Sequence, residues 1–351
     1  MAEVLNRGPG SYIYATTRMR VRKIKLVPRE DYLRMLNMSL PEITRFIEET
    51  QYKTEIDELS SSFSGIDLME VALSWNLAKE YHKVLDITPG ILKEFTQNYL
   101  RRWDIQNVLN ILRGKTQGLS SGKIKAVLIP AGGLDKDILD SLLNEDSPER
   151  VVDALKGTGF YSLLEKEFPA AQECGSFARL ENELYKQYFA DLIVAAKSGV
   201  KGGMAYLKYI RFEIDIRNIQ TLFRLRTGRV SDVRDMVIEG GSFTVDELQH
   251  LAGTESIDDL IDAVKSRVRV VALHALLNEI RENMPIHEIE NRLTCVMLEQ
   301  MEILSKRHPF SICPILVYLK KKRYEVENLR ALARGKESNI PSERIQDYLV
   351  M

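Results

Sequence analysis

Residues 318–335, YLKKKRYEVENLRALARG, contain a five-residue core, Glu325-Val326-Glu327-Asn328-Leu329, that has two near-copies upstream. These are Asp104-Ile105-Gln106-Asn107-Val108 and Asp215-Ile216-Arg217-Asn218-Ile219, so the copies begin 111 and then 110 residues apart. On a helix the acid and the Asn, three residues apart, share one face, and the apolar residues one and four places after the first position lie on an adjacent face. Each copy therefore offers an apolar edge to a core and a polar edge to neighbouring chain. The Asn amide is expected to cap or cross-link helix ends within its own unit, with direct contact to a partner as the alternative.

The flanks extend the repetition. Six residues after each Asn comes Arg113, Arg224 or Arg334, followed by Gly114, Gly228 or Gly335. These glycines are expected to close their helices as left-handed caps. Helices are expected to restart at Ser120, Ser231 and Ser342, spaced 111 residues apart. Further on, VLIPAGGLDKDILDSLL (127–143) parallels MVIEGGSFTVDELQHLA (236–252), and SPERVVDALK (147–156) parallels SIDDLIDAVK (256–265).

The third copy stops before the second half of this pattern. The missing half stands at the other end of the chain, as LVPREDYLRML (26–36) followed by SLPEITRFI (39–47). The order is therefore a half unit (1–60), two full units (61–160 and 161–266) and a second half unit (267–351) that the first completes. Complementary ends and a period near 111 residues do not fit a solenoid, whose repeats run to about 20–50 residues. They predict three like lobes in a closed or nearly closed ring, with three independent tandem domains as the alternative. No stretch alternates with period two, so the chain reads as all-α. Asp67 and Glu70 form a D-x-x-E pair expected to cap a helix over 68–84. Another helix is expected from Pro89 to about Arg113.

Composition limits function. Hydrophobic residues make up 44% and charged residues 28%, as in globular proteins. With 49 basic and 50 acidic residues the formal charge is −1, which argues against nucleic acid as a partner. The three cysteines lack metal-ligand or CxxC spacing, which suits a reducing compartment. The chain lacks an apolar run of the ~20 residues a bilayer span needs, so any membrane contact is expected to be peripheral.

The sequence carries little catalytic patterning. Gly114-Lys115-Thr116 resembles the end of a phosphate loop, but the required first glycine would fall on Leu109 and the segment ends a helix. The five histidines lack ligand spacing, and no Gly-x-Ser-x-Gly elbow occurs. No catalytic residue, cofactor or metal is assigned. Two basic groups, Arg18, Arg20 and Arg22 near the start and Lys320, Lys321, Lys322 and Arg323 near the end, are candidate interaction residues. The second group has no equally charged counterpart in the other two copies.

The opening YIYATTRMRVRK, the ETQY after the second short helix and the closing YLKKKRYEVENLRALARGK…IPSERIQDYL resemble the C subunit of archaeal and bacterial A-type (V-type) ATP synthases. The eukaryotic counterpart is the d subunit of the V-ATPase. The resemblance covers essentially the whole chain. It implies a non-catalytic funnel of three helical lobes with pseudo-threefold symmetry. It also implies a socket between the central stalk (the D and F subunits) and the proteolipid ring, at the cytoplasmic face of the membrane. An all-α scaffold carrying an unrecognised small-molecule or enzymatic site is the competing class.

Overall fold

The computed structural model describes residues 9–199, 202–228, 233–254, 256–281 and 284–351, and these contain helices and connecting loops but no strand. The N-terminal half unit holds α1 (Pro9–Ile24), α2 (Arg29–Met35), α3 (Leu40–Glu48) and α4 (Lys53–Leu59). The next unit holds α5 (Gly65–Ile87), α6 (Gly90–Leu100), α7 (Arg102–Thr116), α8 (Ser121–Lys125), α9 (Lys136–Asn144) and α10 (Pro148–Ala154). Then come α11 (Tyr161–Cys174), α12 (Ala178–Lys197), α13 (Gly203–Gly228), α14 (Val245–Ala252) and α15 (Ile257–Arg267). The last half unit holds α16 (Val271–Glu279), α17 (Ile286–Arg307), α18 (Cys313–Glu337) and α19 (Ser342–Gln346).

The three motif copies lie on α7, α13 and α18, and their apolar edges are core. Ile105 and Val108, Ile216 and Ile219, and Val326 and Leu329 are each at most 2% exposed. In each unit a long helix, α5, α12 or α17, precedes the motif-bearing segment and packs beside it or its neighbour. Aromatic side chains join units. The ring of Phe95 on α6 stacks on that of Tyr206 on α13 at 4.6 Å, and the Tyr81 hydroxyl on α5 donates to the Leu319 carbonyl of α18 at 2.6 Å.

Short helices start where polar N-caps satisfy the free amides of a first turn. Ser39 with Glu42 and Thr244 with Glu247 form capping boxes on α3 and α14, and the Asp135 carboxylate accepts from the Ile138 amide on α9. The Asp67–Glu70 pair does not cap α5. That helix begins earlier, behind Ser64, and Glu70 instead faces Arg330 and Arg334. The helix expected from Pro89 to Arg113 is two, broken at Arg101.

The glycine caps also need correcting. Gly114 and Gly335 lie inside α7 and α18 with ordinary helical backbone, and the left-handed positions come four residues later, at Gly118 (φ +67°) and Asn339 (φ +53°). Glycine is needed at the earlier positions for space. A Cβ on Gly114 would lie 2.5 Å from Ile124, and one on Gly335 would lie 2.6 Å from Ile345. The helix after each glycine turns back across it, and only a hydrogen leaves room. Gly228 is the last residue of α13, and Ser231 lies outside the described residues.

Candidate functional site

Each motif Asn makes the same pair of hydrogen bonds. The Asn107 amide nitrogen donates to the Ile129 carbonyl at 2.7 Å, and its oxygen accepts from the Ile129 amide at 2.9 Å. Asn218 holds Ile238 at 2.7 and 2.9 Å, and Asn328 holds Val350 at 2.8 and 2.9 Å. A primary amide has one donor side and one acceptor side in a plane, so it can satisfy both polar groups of one backbone residue. An acid cannot, which explains Asn at this position. Asn107→Ala is expected to cost about 2–3 kcal/mol, because two backbone groups lose their partners at the buried Ile129. Asn218→Ala should match it at buried Ile238, and Asn328→Ala should cost less because Val350 is half-exposed. Urea unfolding of the three variants checks this order.

The carboxylates fasten a second loop. Asp104 accepts from the amides of Gly133 and Leu134, both at 2.8 Å. Asp215 accepts from the Ser242 amide at 2.6 Å and its hydroxyl at 2.7 Å. Glu325 reaches the opposite end of the chain, accepting from the Val27 amide at 2.6 Å, Gln51 at 2.8 Å and the Tyr52 hydroxyl at 2.6 Å. The C-terminal motif thus binds the N-terminal half unit where the other two motifs bind their own downstream loops.

Burial outweighs these hydrogen bonds for Asp215 and raises its pKa to about 6. A raised folded pKa contributes stability that is complete below the unfolded value near 4 and disappears as pH rises through about 6. Asp215→Asn is therefore expected to remove about 3 kcal/mol of acid-side pH dependence between roughly pH 4 and 6. It should leave the protein no less stable at pH 8. Thermal midpoints across that range test the sign.

The arginines that follow the motifs link neighbouring units. Arg113 pairs with Glu181 at 2.5 Å, Arg224 with Glu290 at 2.6 Å, and Arg334 with Glu70 at 2.5 Å. The acceptors stand on α12, α17 and α5, so each motif helix grips the helix of the next unit, and the last returns to the first.

A cavity of about 690 Å³ lies among α7, α12, α13, α17 and α18. At its buried end Glu213 receives two cations on one carboxylate oxygen, from Arg102 at 2.7 Å and Lys320 at 2.6 Å. The Tyr99 hydroxyl donates to its second oxygen at 3.0 Å. These cations hold Glu213 well below the usual carboxylate range, while burial pushes Lys320 down to about 7. Half-buried Arg217 and the exposed Arg224, Asp235 and Met236 also line it.

The basic groups separate in space. Lys320 and Lys322 are 5% and 0% exposed, which corrects their reading as surface contacts; Lys322 binds Glu325 at 2.7 Å and the Tyr52 hydroxyl at 2.9 Å. Arg323 lines the cavity, pairs with Glu327 at 2.6 Å and lies over Trp103, while Lys321 pairs with Glu302 at 3.3 Å. On α1, Arg22 is paired with Glu80, Arg18 is exposed over Tyr14, and Arg20 is exposed and reaches the Pro309 carbonyl at 3.4 Å. Sequence reasoning missed Glu213, Arg102 and Tyr185. The available signal was the position two before each motif acid, occupied by Arg102, Glu213 and Arg323, where the sign of charge changes between copies.

The described residues form an all-helical fold whose C-terminal motif is bonded to the N-terminal half unit. The family model described as ATP synthase (C/AC39) subunit matches residues 15–348, and the chain belongs to that family. The A-type ATP synthase C subunit of Methanosarcina mazei is 38% identical, with 98% of this chain and 94% of that protein covered. The proteins of the same name from Archaeoglobus fulgidus and Halobacterium salinarum are each 35% identical, covering 99% and 98% of this chain. No helix among the described residues is long and apolar enough to cross a membrane.

Proposed function

We propose that this chain is a non-catalytic coupling component of a rotary A/V-type ATP synthase. It joins the central stalk (the D and F subunits) to the membrane proteolipid ring and transmits torque for proton- or sodium-coupled ATP synthesis or hydrolysis. It works peripherally at the cytoplasmic membrane face. Its body is three like lobes with pseudo-threefold symmetry, residues 61–160, 161–266 and the pair 267–351 with 1–60, built on the repeat of about 111 residues.

The observation that carries this reading is the circuit Arg113–Glu181, Arg224–Glu290 and Arg334–Glu70. A circuit that returns to its start resists shear between any two of its members, as a part under torque requires. Dense helix packing adds stiffness, because close-packed interiors transmit strain with little give. The family relationship supports the assignment to the synthase, and the cavity suits the foot of a stalk.

Isolation of the tagged chain from native membranes tests the proposal. Proteolipid and stalk proteins are expected to co-purify in fixed proportion. Recovery of the chain without either, from membranes that retain ATP synthase, would remove the proposal.

A further inference from the structure

Six cationic side chains line the cavity, Arg102, Arg179, Arg217, Arg224, Lys320 and Arg323, against the three carboxylates Glu181, Glu213 and Asp235. Five of the six are engaged: Arg102 and Lys320 share Glu213, Arg179 has Glu167, Arg224 has Glu290 and Arg323 has Glu327. Arg217 differs. Among the described residues no carboxylate lies within ion-pair distance of it, and it donates no hydrogen bond to a protein acceptor. Its guanidinium lies over the ring of buried Tyr185 at 4.1 Å. Such stacking covers the face of the group and leaves the in-plane N–H donors for an acceptor elsewhere.

The setting also works against the charge. Burial, with a lesser push from the Arg102 guanidinium, holds Arg217 below the usual arginine range, against the opposing influence of Tyr185, Glu213 and Glu181. An unpaired cation held in a protein wall is costly, and an incoming anion offsets that cost. The corresponding positions are neutral Gln106 on α7 and Glu327, already paired, on α18. The open cation is thus confined to one of the three equivalent motif positions.

We infer that Arg217 receives a carboxylate from an acidic tip of the stalk, making this the cationic contact that seats the stalk in the cavity. The inference rests on the socket reading above and adds the chemistry of the occupant. Because only one of the three equivalent positions carries the open cation, the contact also selects one of three orientations for the stalk.

The test is binding of the purified stalk pair, the D and F subunits together, to the wild-type chain and to Arg217→Gln, Arg217→Lys and Arg217→Glu. Losing one partner of a desolvated ion pair costs about 2 kcal/mol or more, so Arg217→Gln is expected to bind about thirtyfold more weakly. Arg217→Glu should bind more weakly still, and Arg217→Lys should recover part of the affinity. The thermal midpoint of Arg217→Gln should equal or exceed that of the wild type, since an unpaired, half-buried cation has been removed; a purely structural arginine would lower it. Wild-type affinity in Arg217→Gln overturns the inference while leaving the socket reading intact. Stabilisation of the wild type but not Arg217→Gln by inorganic phosphate, with stalk affinity unchanged, would make this a small-anion site and also overturn it. A wild-type chain that binds no stalk overturns both.

Discussion

Glu325→Gln is expected to destabilise the chain by about 3–5 kcal/mol, because it strands Lys322 as a buried, uncompensated cation. Lys322 is fully enclosed, with Glu325 and the Tyr52 hydroxyl as its partners. The same substitution weakens the bonds to Val27, Gln51 and Tyr52, which tie the N-terminal half unit to α18. The loss should therefore be accompanied by faster tryptic cleavage at the exposed Lys25 and Arg29. Burial already depresses the Lys322 pKa, so without Glu325 the residue can shed its proton as the solution becomes more basic. The defect should shrink on going from pH 7 toward pH 10, and Lys322→Met in the Glu325→Gln background should recover a large part of it. Urea unfolding at several pH values measures both effects. A loss below about 1 kcal/mol would show that this pair does not hold the two ends of the chain together.

Glu213→Gln is the second large effect, also expected at about 3–5 kcal/mol, since Arg102 and Lys320 both lose their shared carboxylate. Lys320→Met should behave in the opposite way. It leaves Arg102 and Glu213 as a one-to-one pair, and the cost should stay under about 1 kcal/mol or become a gain. The pH dependence follows from the depressed Lys320 pKa near 7. Between about 7 and the unfolded value near 10.4 the unfolded chain binds more protons, so this group's contribution makes stability rise with pH. Lys320→Met should flatten that rise. Comparing the single and double variants by unfolding in a mutant cycle isolates the coupling.

The repeat was legible because its residues act locally. Asn107, Asn218 and Asn328 each bond a backbone residue 20 to 22 positions onward, so spacing and residue type travel together in each copy. The carboxylates were legible as a set, although Glu325 finds its partners about 300 residues away, because the first two copies display the local version. The basic run was misread for a physical reason. Lys320 is buried only because Glu213, 107 residues earlier, meets it, and a run of lysines without that partner would be a solvated surface. The glycines were misread because a glycine near a helix end commonly caps it, whereas Gly114 and Gly335 answer to Ile124 and Ile345 crossing above them. Arg217 could not be recognised from its neighbours in sequence, since what distinguishes it is the lack of a carboxylate in three dimensions.

In the proposed socket the three motif loops form one rim around the stalk. Glu30, Asp137 and Asp246 are exposed residues in the first turns of α2, α9 and α14, at matched places in the three units. Gly132 and Gly240 are unsuitable nearby, since a side chain at either would collide with Asp104 or Ile193. Single cysteines at 30, 137 and 246, in a background with exposed Cys174 replaced by Ser, can be cross-linked within the assembled synthase through a short thiol–amine reagent. Adducts to stalk proteins from all three positions are predicted; adducts from none of them, with the complex intact, would contradict the account.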